Sequence, residues 1–243
     1  MRDPSMLTSE TLTSETPHEI ALPEILELHS FKPRETERSW VSARGKRVFD
    51  LAFTALILPL AIPFFLVIPL AIVLESRGPI FFQHRRLGCQ GNIFWMFKFR
   101  TMVDGADWIL SKLLDSNPAA RQEFAENYKL KNDPRITKLG RFLRCSSLDE
   151  LPQIFNVLRG EISWVGPRPI IESEIEKYGH HAAAFLRTKP GITGLWQASG
   201  RSDLSYDERV RLDMQYLDRA SLWLDLKIIL RTVLVVLNRT GAM

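Results

Sequence analysis

The most prominent pattern in the chain is an apolar run over residues 48–74, VFDLAFTALILPLAIPFFLVIPLAIVL, in which Asp50 is the only charged residue. As a straight helix this run would extend about 40 Å, which exceeds the hydrocarbon core of a membrane at about 30 Å. A single membrane-spanning helix is therefore the simplest interpretation. Residues 1–43 before the run are polar and rich in Ser, Thr, Glu and Pro, which predicts a mobile tail. They hold no apolar core, so we expect no cleavable signal peptide.

Two features favour a re-entrant helix over a spanning one. Pro59, Pro63 and Pro69 interrupt the run, and a sharp kink near Pro63 would leave two halves of about 20 Å or less, each too short to cross alone. Both flanks are basic, so the positive-inside rule places both ends on the cytoplasmic side, and a single crossing cannot satisfy it. We therefore predict a re-entrant helix over residues 44–76, broken at Pro63. The flanking basic residues are Arg44, Lys46, Arg47, Arg77, Arg85 and Arg86.

The rest of the chain predicts a mainly helical α+β domain over residues 77–243. Aromatic and β-branched residues on both sides of CQGN (residues 89–92) indicate a β-hairpin. The final segment, residues 221–238, predicts an apolar helix whose three charges disfavour spanning, so it belongs to the core or to the membrane interface. Further helices are predicted over residues 104–130 with a break at Pro118, 147–158 and 170–187, and a Gly/Pro-rich loop is predicted over 189–203.

Composition narrows the class of protein. The formal net charge of +4 suits an anionic membrane surface or a phosphorylated substrate and is not by itself a signature of nucleic-acid binding. Cys89 and Cys145 are the two cysteines, and they lack a CxxC or Cys/His ligand spacing. Free thiols in a reducing compartment are therefore expected.

The segment SSLDELPQIFNVLRGEISWVGPRP, residues 146–169, admits two interpretations. Ser147 and Glu150 fit the S-x-x-E capping box, which would make the segment an ordinary helix start. Capping does not account for the arginines around Asp149 and Glu150, which suit a phosphate or diphosphate ligand. Two carboxylates in such a site suggest Mg²⁺, or a division of roles in which one carboxylate is a nucleophile. The residues alone leave both interpretations open.

Four segments occur in an order that resembles a known family: KRVFDLAF, FKFRTM, RCSSLDELPQIFNVLRGEISWVGPRP and KPGITGLWQASGR. They are similar to the bacterial sugar transferases, which are monotopic polyprenyl-phosphate phosphoglycosyl transferases that begin exopolysaccharide and O-antigen repeat units. The resemblance covers roughly residues 44–240 and implies the short, catalytic-core form. A serine often precedes the kinking proline in this family, whereas Ile62 does so here.

The resemblance implies a reaction and a place for it. A sugar-1-phosphate passes from a UDP-sugar to polyprenyl (undecaprenyl) phosphate, UMP is released, and an aspartyl-phosphosugar forms in between. The enzyme would lie at the cytoplasmic face of the bacterial inner membrane with both termini cytoplasmic. Its expected partners are the UDP-sugar, the polyprenyl phosphate lipid and the membrane, with no nucleic acid. A homo-oligomer and downstream glycosyltransferases are further candidate partners.

The resemblance also implies roles for individual residues. Asp149 would be the nucleophile, and Glu150, with Asp149, would hold the Mg²⁺ cofactor. Pro63 would be the kink in the membrane helix. The candidates for binding substrate phosphate are Arg144, Arg168, Lys98 and Arg100. The candidates for the nucleotide or sugar pocket are Gly191, Thr193, Gly194, Gln197 and Arg201.

Two other functions remain as alternatives. A non-catalytic membrane-anchored adaptor of polysaccharide assembly would account for the basic surface and the anchor, but gives no reason for Asp149 and Glu150 beside an arginine. A single-pass anchored glycosyltransferase would place the two termini on opposite faces of the membrane.

Overall fold

A computed structural model of the chain describes residues 40, 44–127, 130–199 and 204–238. Its elements confirm the predicted mainly helical α+β fold with a β-hairpin. The α-helices are α1 Arg44–Glu75, α2 Ala106–Ser116, α3 Pro118–Asn127, α4 Lys138–Cys145, α5 Gln153–Arg159, α6 Ala182–Leu186, α7 Tyr206–Arg219 and α8 Leu222–Leu237. The strands are β1 Phe81–Leu87, β2 Ile93–Phe99, β3 Ser163–Val165 and β4 Gly191–Thr193, and the described residues also include the 3-10 segments Cys89–Gly91, Leu148–Glu150 and Glu172–His181.

The long apolar helix α1 runs through all three of its prolines as one element. Pro59, Pro63 and Pro69 lie inside it, so the expected separation into two helices at Pro63 is not present. A proline removes one backbone hydrogen bond, but the turns on either side and the surrounding contacts can hold the helix together. By length and composition α1 is able to cross a membrane, and the re-entrant path stays a prediction.

A narrow stripe of α1 is buried and the other faces are not. The buried positions recur at intervals of four or seven residues, which places them on one face of the helix. Only 17% of its most apolar 18-residue window is buried, so most of its apolar side chains face outward. The buried stripe consists of Lys46, Asp50, Thr54, Ala61, Ile68 and Ile72. The exposed side chains include Val48, Leu56, Leu60, Leu66, Val67, Leu70, Val73 and Leu74.

Polar contacts join the start of α1 to the rest of the domain. Asp225 of α8 is fully buried and accepts from Lys46 Nζ at 2.6 Å, from Trp40 Nε1 at 2.7 Å and from Tyr216 Oη at 2.8 Å. Asp50 Oδ1 accepts from the backbone N–H of Trp164, in β3, at 3.1 Å. Lys46 and Asp225 therefore form a buried ion pair, and hydrogen bonds stabilise the buried Asp50 carboxyl.

The predicted hairpin is the antiparallel pair β1–β2, and it faces the helical elements. Its register aligns Phe82 with Lys98, His84 with Met96, and Arg86 with Phe94. A second, two-stranded parallel sheet pairs β3 with β4. The end of β1 is joined to the segment that follows β3, because the N–H of Leu87 donates to the carbonyl of Ile170 at 2.8 Å.

Two of the predicted helices need correction. The segment predicted as helix over 147–158 begins with a single 3-10 turn, and α5 starts only at Gln153, after Pro152. The segment predicted over 170–187 is a 3-10 run interrupted at Gly179 and followed by the short α6. The predicted helix over 104–130 does divide at Pro118, where α3 begins.

The terminal helix α8 has one buried and one exposed face. Asp225 and Ile228 are buried, and Ile228 packs with Val165, Ala198 and Tyr216 in a common cluster. Its outward residues follow a helical period and form an apolar stripe, as expected for a helix at a membrane interface. The stripe consists of Leu222, Trp223, Leu226, Leu230, Val233, Leu234 and Leu237.

Candidate active site

The two adjacent carboxylates sit on the single 3-10 turn before α5. The capping box predicted for this segment is absent, because the Ser147 side chain makes no capping hydrogen bond within the described residues. Ser147 has φ 55° and ψ 16°, in the left-handed region. An N-cap residue needs an extended backbone to direct its hydroxyl at the following N–H groups, so this conformation removes the cap. The tight turn carries Asp149 and Glu150 instead.

Lys98 of β2 reaches both carboxylates. Its Nζ lies 2.6 Å from Glu150 Oε1 and 3.8 Å from Asp149 Oδ2. Asp149 is only 8% exposed. Burial is the main cause that raises the pKa of the Asp149 carboxyl to about 6; Lys98 opposes the rise, Glu150 adds to it, and Arg144 opposes it. Asp149 is therefore a carboxylate at neutral pH, poorly solvated and close to two cations, which suits a nucleophile.

Arg144 is held at the edge of the same turn by its neighbours. Its Nε donates to Thr101 Oγ1 at 2.9 Å. Gly140 allows α4 to pack closely against the backbone of Thr101, since a Cβ at this position would lie 2.0 Å from the Thr101 carbonyl oxygen. Burial lowers the pKa of the Arg144 guanidinium, which the nearby carboxylates of Asp149 and Asp133 partly offset.

Arg100 contacts the end of the long apolar helix α1. Its Nη2 donates to the Ser76 carbonyl at 2.6 Å and to Ser76 Oγ at 2.9 Å, just beyond the last residue of α1. A cation at a helix C-terminus stabilises the unsatisfied carbonyls there. The geometry thus gives Arg100 a capping contact, and its predicted contact with substrate phosphate stays a prediction.

Arg168 is exposed between two buried prolines, Pro167 and Pro169. Its guanidinium carbon lies 5.7 Å from the centroid of the Trp196 ring, and that of Arg209, on α7, lies 5.0 Å from the same ring. The prolines restrict the backbone, and the indole supports the guanidinium on one side. Sequence reasoning missed Arg209, because its position on α7 gives no local sign that the helix reaches this loop.

The glycine-rich segment after Pro190 packs against β3. A Cβ on Gly191 would lie 2.1 Å from the backbone nitrogen of Gly166, and one on Gly194 would lie 2.3 Å from the Gly166 carbonyl oxygen. Thr193 Oγ1 is hydrogen-bonded to Thr232 Oγ1 of α8 at 2.7 Å. These contacts account for the glycines by close backbone approach, and the nucleotide or sugar pocket stays a prediction. Gln197 lies beside Gly194, while Arg201 lies outside the described residues.

A buried acid near Arg168 was also missed by sequence reasoning. Asp213 of α7 is completely buried, and its Oδ2 accepts from Tyr178 Oη at 2.8 Å. Its Oδ1 has no hydrogen-bond partner among the described residues. Burial raises the pKa of Asp213 to about 8, while Tyr178 and then Arg168 oppose the rise.

The described residues contain no group of three or more His, Cys, Asp or Glu side chains that could hold a metal ion. Mg²⁺ is commonly bound by one or two carboxylates with waters and substrate phosphates as its other ligands. Asp149 and Glu150 fit this pattern of magnesium binding, in which waters and the substrate complete the coordination.

Comparison with known proteins identifies close sequence relatives. A sequence model of the family described as bacterial sugar transferase matches residues 41–239. The undecaprenyl-phosphate galactose phosphotransferase of Salmonella typhimurium is 47% identical over 197 residues, which are 81% of this chain and 41% of that protein. The exopolysaccharide production protein ExoY of Rhizobium meliloti is 44% identical over 202 residues, which are 83% of this chain and 89% of that protein.

A third relative names another sugar. The undecaprenyl-phosphate glucose phosphotransferase of Komagataeibacter xylinus is 42% identical over 206 residues, which are 77% of this chain and 35% of that protein. The chain therefore spans less than half of the length of the two phosphotransferases and most of the length of ExoY.

Proposed function

The chain belongs to the bacterial sugar transferase family, and on that basis we propose that it transfers a sugar-1-phosphate from a UDP-sugar to polyprenyl phosphate, releasing UMP. The observation that carries the proposal is the buried Asp149, with Lys98 within 3.8 Å and Glu150 beside it. Relatives named for transfer to undecaprenyl phosphate support the lipid acceptor. Those names specify galactose in one protein and glucose in another, so the sugar is left to experiment.

The transfer proceeds in two displacements at one phosphorus atom. An Asp149 carboxylate oxygen bonds to the β-phosphorus of the donor, the bond from that phosphorus to the bridging oxygen breaks, and the electron pair leaves with UMP. An oxygen of polyprenyl phosphate then bonds to the same phosphorus, which releases the Asp149 carboxylate and yields polyprenyl-diphosphate-sugar. Lys98, Arg144 and Arg168 would offset the phosphate charge in both steps.

Mg²⁺ is the proposed cofactor, and Glu150 and Asp149 are the residues that would hold it. When bound, the ion would neutralise part of the diphosphate charge and favour UMP as a leaving group. Lys98 bonds Glu150 at 2.6 Å, so the lysine and the ion would compete for this carboxylate. The diphosphate offers the Lys98 ammonium another acceptor when the substrate arrives.

We propose that α1 enters the membrane from the cytoplasmic face and returns to it. Near its start Lys46 pairs with Asp225, and at its end Glu75 Oε1 accepts from the backbone N–H of Leu139 at 3.0 Å. Both ends of the helix thus contact one charged domain, which supports placing both ends on the same side of the membrane. The outward apolar faces of α1 and α8 would then lie in the lipid.

The membrane-facing surface continues up to the dyad. Phe65 of α1 packs against Phe155 of α5 with the rings tilted and their centroids 5.4 Å apart. Phe155 and Leu158 are exposed there. Asp149 lies one short turn before α5, so the nucleophile would sit at the depth of the lipid headgroups. There it could meet a soluble donor and the phosphate of a lipid acceptor. Exopolysaccharide or lipopolysaccharide assembly is the proposed context, with a homo-oligomer and downstream glycosyltransferases as predicted partners.

UMP release from a panel of UDP-sugars, with polyprenyl phosphate and Mg²⁺ in nanodiscs, tests the proposal. We expect turnover with one donor, loss of turnover in Asp149→Asn and in chelator, and full turnover in Asp115→Asn, an exposed acid on α2. Transfer of a ³²P label from the β-phosphate to Asp149 would demonstrate the covalent step. Folded protein that releases no UMP from any donor would refute the proposal and favour the adaptor.

A further inference from the structure

One face of the β1–β2 hairpin carries a row of basic side chains that starts at the dyad. The register aligns Lys98 with Phe82, and His84 and Arg86 follow Phe82 at two-residue intervals along β1. Cross-strand partners share a face, and alternate residues of one strand share a face, so all three basic residues belong to the same side of the hairpin. With a rise of about 3.4 Å per residue, Arg86 begins about 14 Å along the strand from the level of Lys98.

The far end of this row meets the Pro-Arg-Pro loop. Leu87 N–H donates to the Ile170 carbonyl at 2.8 Å, which fastens β1 to the residue just beyond that loop. Arg86 Nη1 lies 3.6 Å from Glu174 Oε2, in the segment that follows. These contacts bring the guanidiniums of Arg86 and Arg168 to the same part of the site, although the two residues come from distant segments.

Arg86 has one donor that the described residues do not satisfy. Its Nε is buried and has no hydrogen-bond partner in the part of the chain that the structure describes. Burial and the neighbouring Arg168 lower the pKa of Arg86 to about 10, whereas Glu174 and Glu150 raise it. Two guanidiniums held close together, with an unpaired buried donor between the loop and the hairpin, form a site that a bound anion would stabilise.

We propose that Arg86 and Arg168 together bind the donor phosphate that leaves with the nucleotide. This inference rests on the proposed function and adds a binding residue to it. Lys98 and the dyad mark the position of the phosphate that is attacked, and Arg86 and Arg168 lie beyond it. The leaving phosphate gains a negative charge when its bridging bond breaks, and preorganised guanidiniums would stabilise that charge.

The adjacent Arg85 provides a matched control. Its side chain belongs to the opposite face of β1, is 59% exposed, and lies 3.5 Å from Glu172. We expect Arg86→Gln to lower kcat/KM for the UDP-sugar and to weaken UDP binding, each by about 10- to 100-fold, the usual effect of a charge-assisted hydrogen bond. Arg85→Gln should leave both within about two-fold, as expected for a surface ion pair. Arg86→Lys should recover part of the loss, because an ammonium lacks the bidentate fork.

UDP affinity, measured by titration calorimetry on the full chain in nanodiscs, separates binding from a purely structural role. Loss of the Glu174 contact alone would lower the unfolding temperature without changing UDP affinity. Active wild type with equal UDP affinity in Arg86→Gln and Arg85→Gln would overturn this inference while leaving the proposed function intact. Wild type that releases no UMP would overturn both. If Arg86→Gln fails to fold, an unchanged UDP affinity and kcat/KM in Arg86→Lys would overturn the inference instead.

Discussion

Replacing Lys98 with glutamine should shift the pH dependence of the reaction to higher pH. The ammonium lies 3.8 Å from Asp149 Oδ2, a separation at which opposite unit charges attract by about 1 kcal/mol in water and about 4 kcal/mol at an effective dielectric constant of about 20. One pH unit corresponds to about 1.4 kcal/mol. Lys98 is one-fifth exposed, so we expect an intermediate effect, a rise of about one to two units in the pKa of Asp149.

The assay is kcat/KM for the UDP-sugar between pH 5 and 9, which reports ionisations of the free enzyme. The pKa of Asp149 is raised to about 6 in the folded protein, so the wild-type activity should fall as the pH drops through about 6 and the nucleophile becomes protonated. Lys98→Gln should show the same fall at about pH 7 to 8, whatever its maximal rate. Lys112→Gln, at an exposed lysine of α2, serves as the control. An unchanged or lower inflection in Lys98→Gln would refute the electrostatic account of Asp149.

Three further outcomes test other parts of the structure. The pKa of Asp213 is raised from 3.8 to about 8 in the folded protein, so the free energy of unfolding should fall as the pH rises from about 4 to about 8. Asp213→Asn should make the unfolding temperature fall less over that range, and an equal fall in both proteins would contradict this account. Asp225→Ala should cost about 3–5 kcal/mol in denaturant unfolding by leaving Lys46 buried and unpaired, and Lys46→Met in the same chain should restore part of the loss. Cysteines introduced at Ser5 and Thr240, in a chain free of other thiols, should both be labelled from the cytoplasmic side of sealed vesicles; labelling from opposite sides would establish a single crossing.

Local patterns were enough to predict much of the fold. The apolar run gave α1 nearly to the residue, and the turn at residues 89–92 gave the hairpin, because each depends on neighbouring residues alone. The dyad was also visible, since Asp149 and Glu150 are adjacent in a distinctive motif. The prediction of a capping box was wrong because Ser147 has a left-handed backbone rather than the extended one that an N-cap residue adopts. Hydrophobic pattern carries no information about that conformation.

Contacts between distant segments account for what the sequence did not reveal. Arg86 precedes Arg168 by a long stretch of chain, and contacts such as the hydrogen bond from Leu87 to Ile170 and the ion pair of Arg86 with Glu174 bring them together. Arg100 looked like a phosphate ligand because it follows Lys98 in one motif, yet it reaches back to Ser76. Residue type and spacing identify which side chains could bind an anion, but the fold decides which of them share a site.

The polar stripe on the first turns of α1 bears on how the protein is made. Lys46, Asp50 and Thr54 find their partners on Asp225 and Trp164, residues synthesised more than a hundred positions later. Until those segments have folded, the helix leaving the ribosome carries an unpaired ammonium and an unpaired carboxylate at one end of an otherwise apolar run. The hydrocarbon of a membrane provides no partner for either charge. Stable burial of this end therefore has to wait for the carboxy-terminal helices, and truncation before α8 should leave a chain that associates with membranes but remains open to proteases.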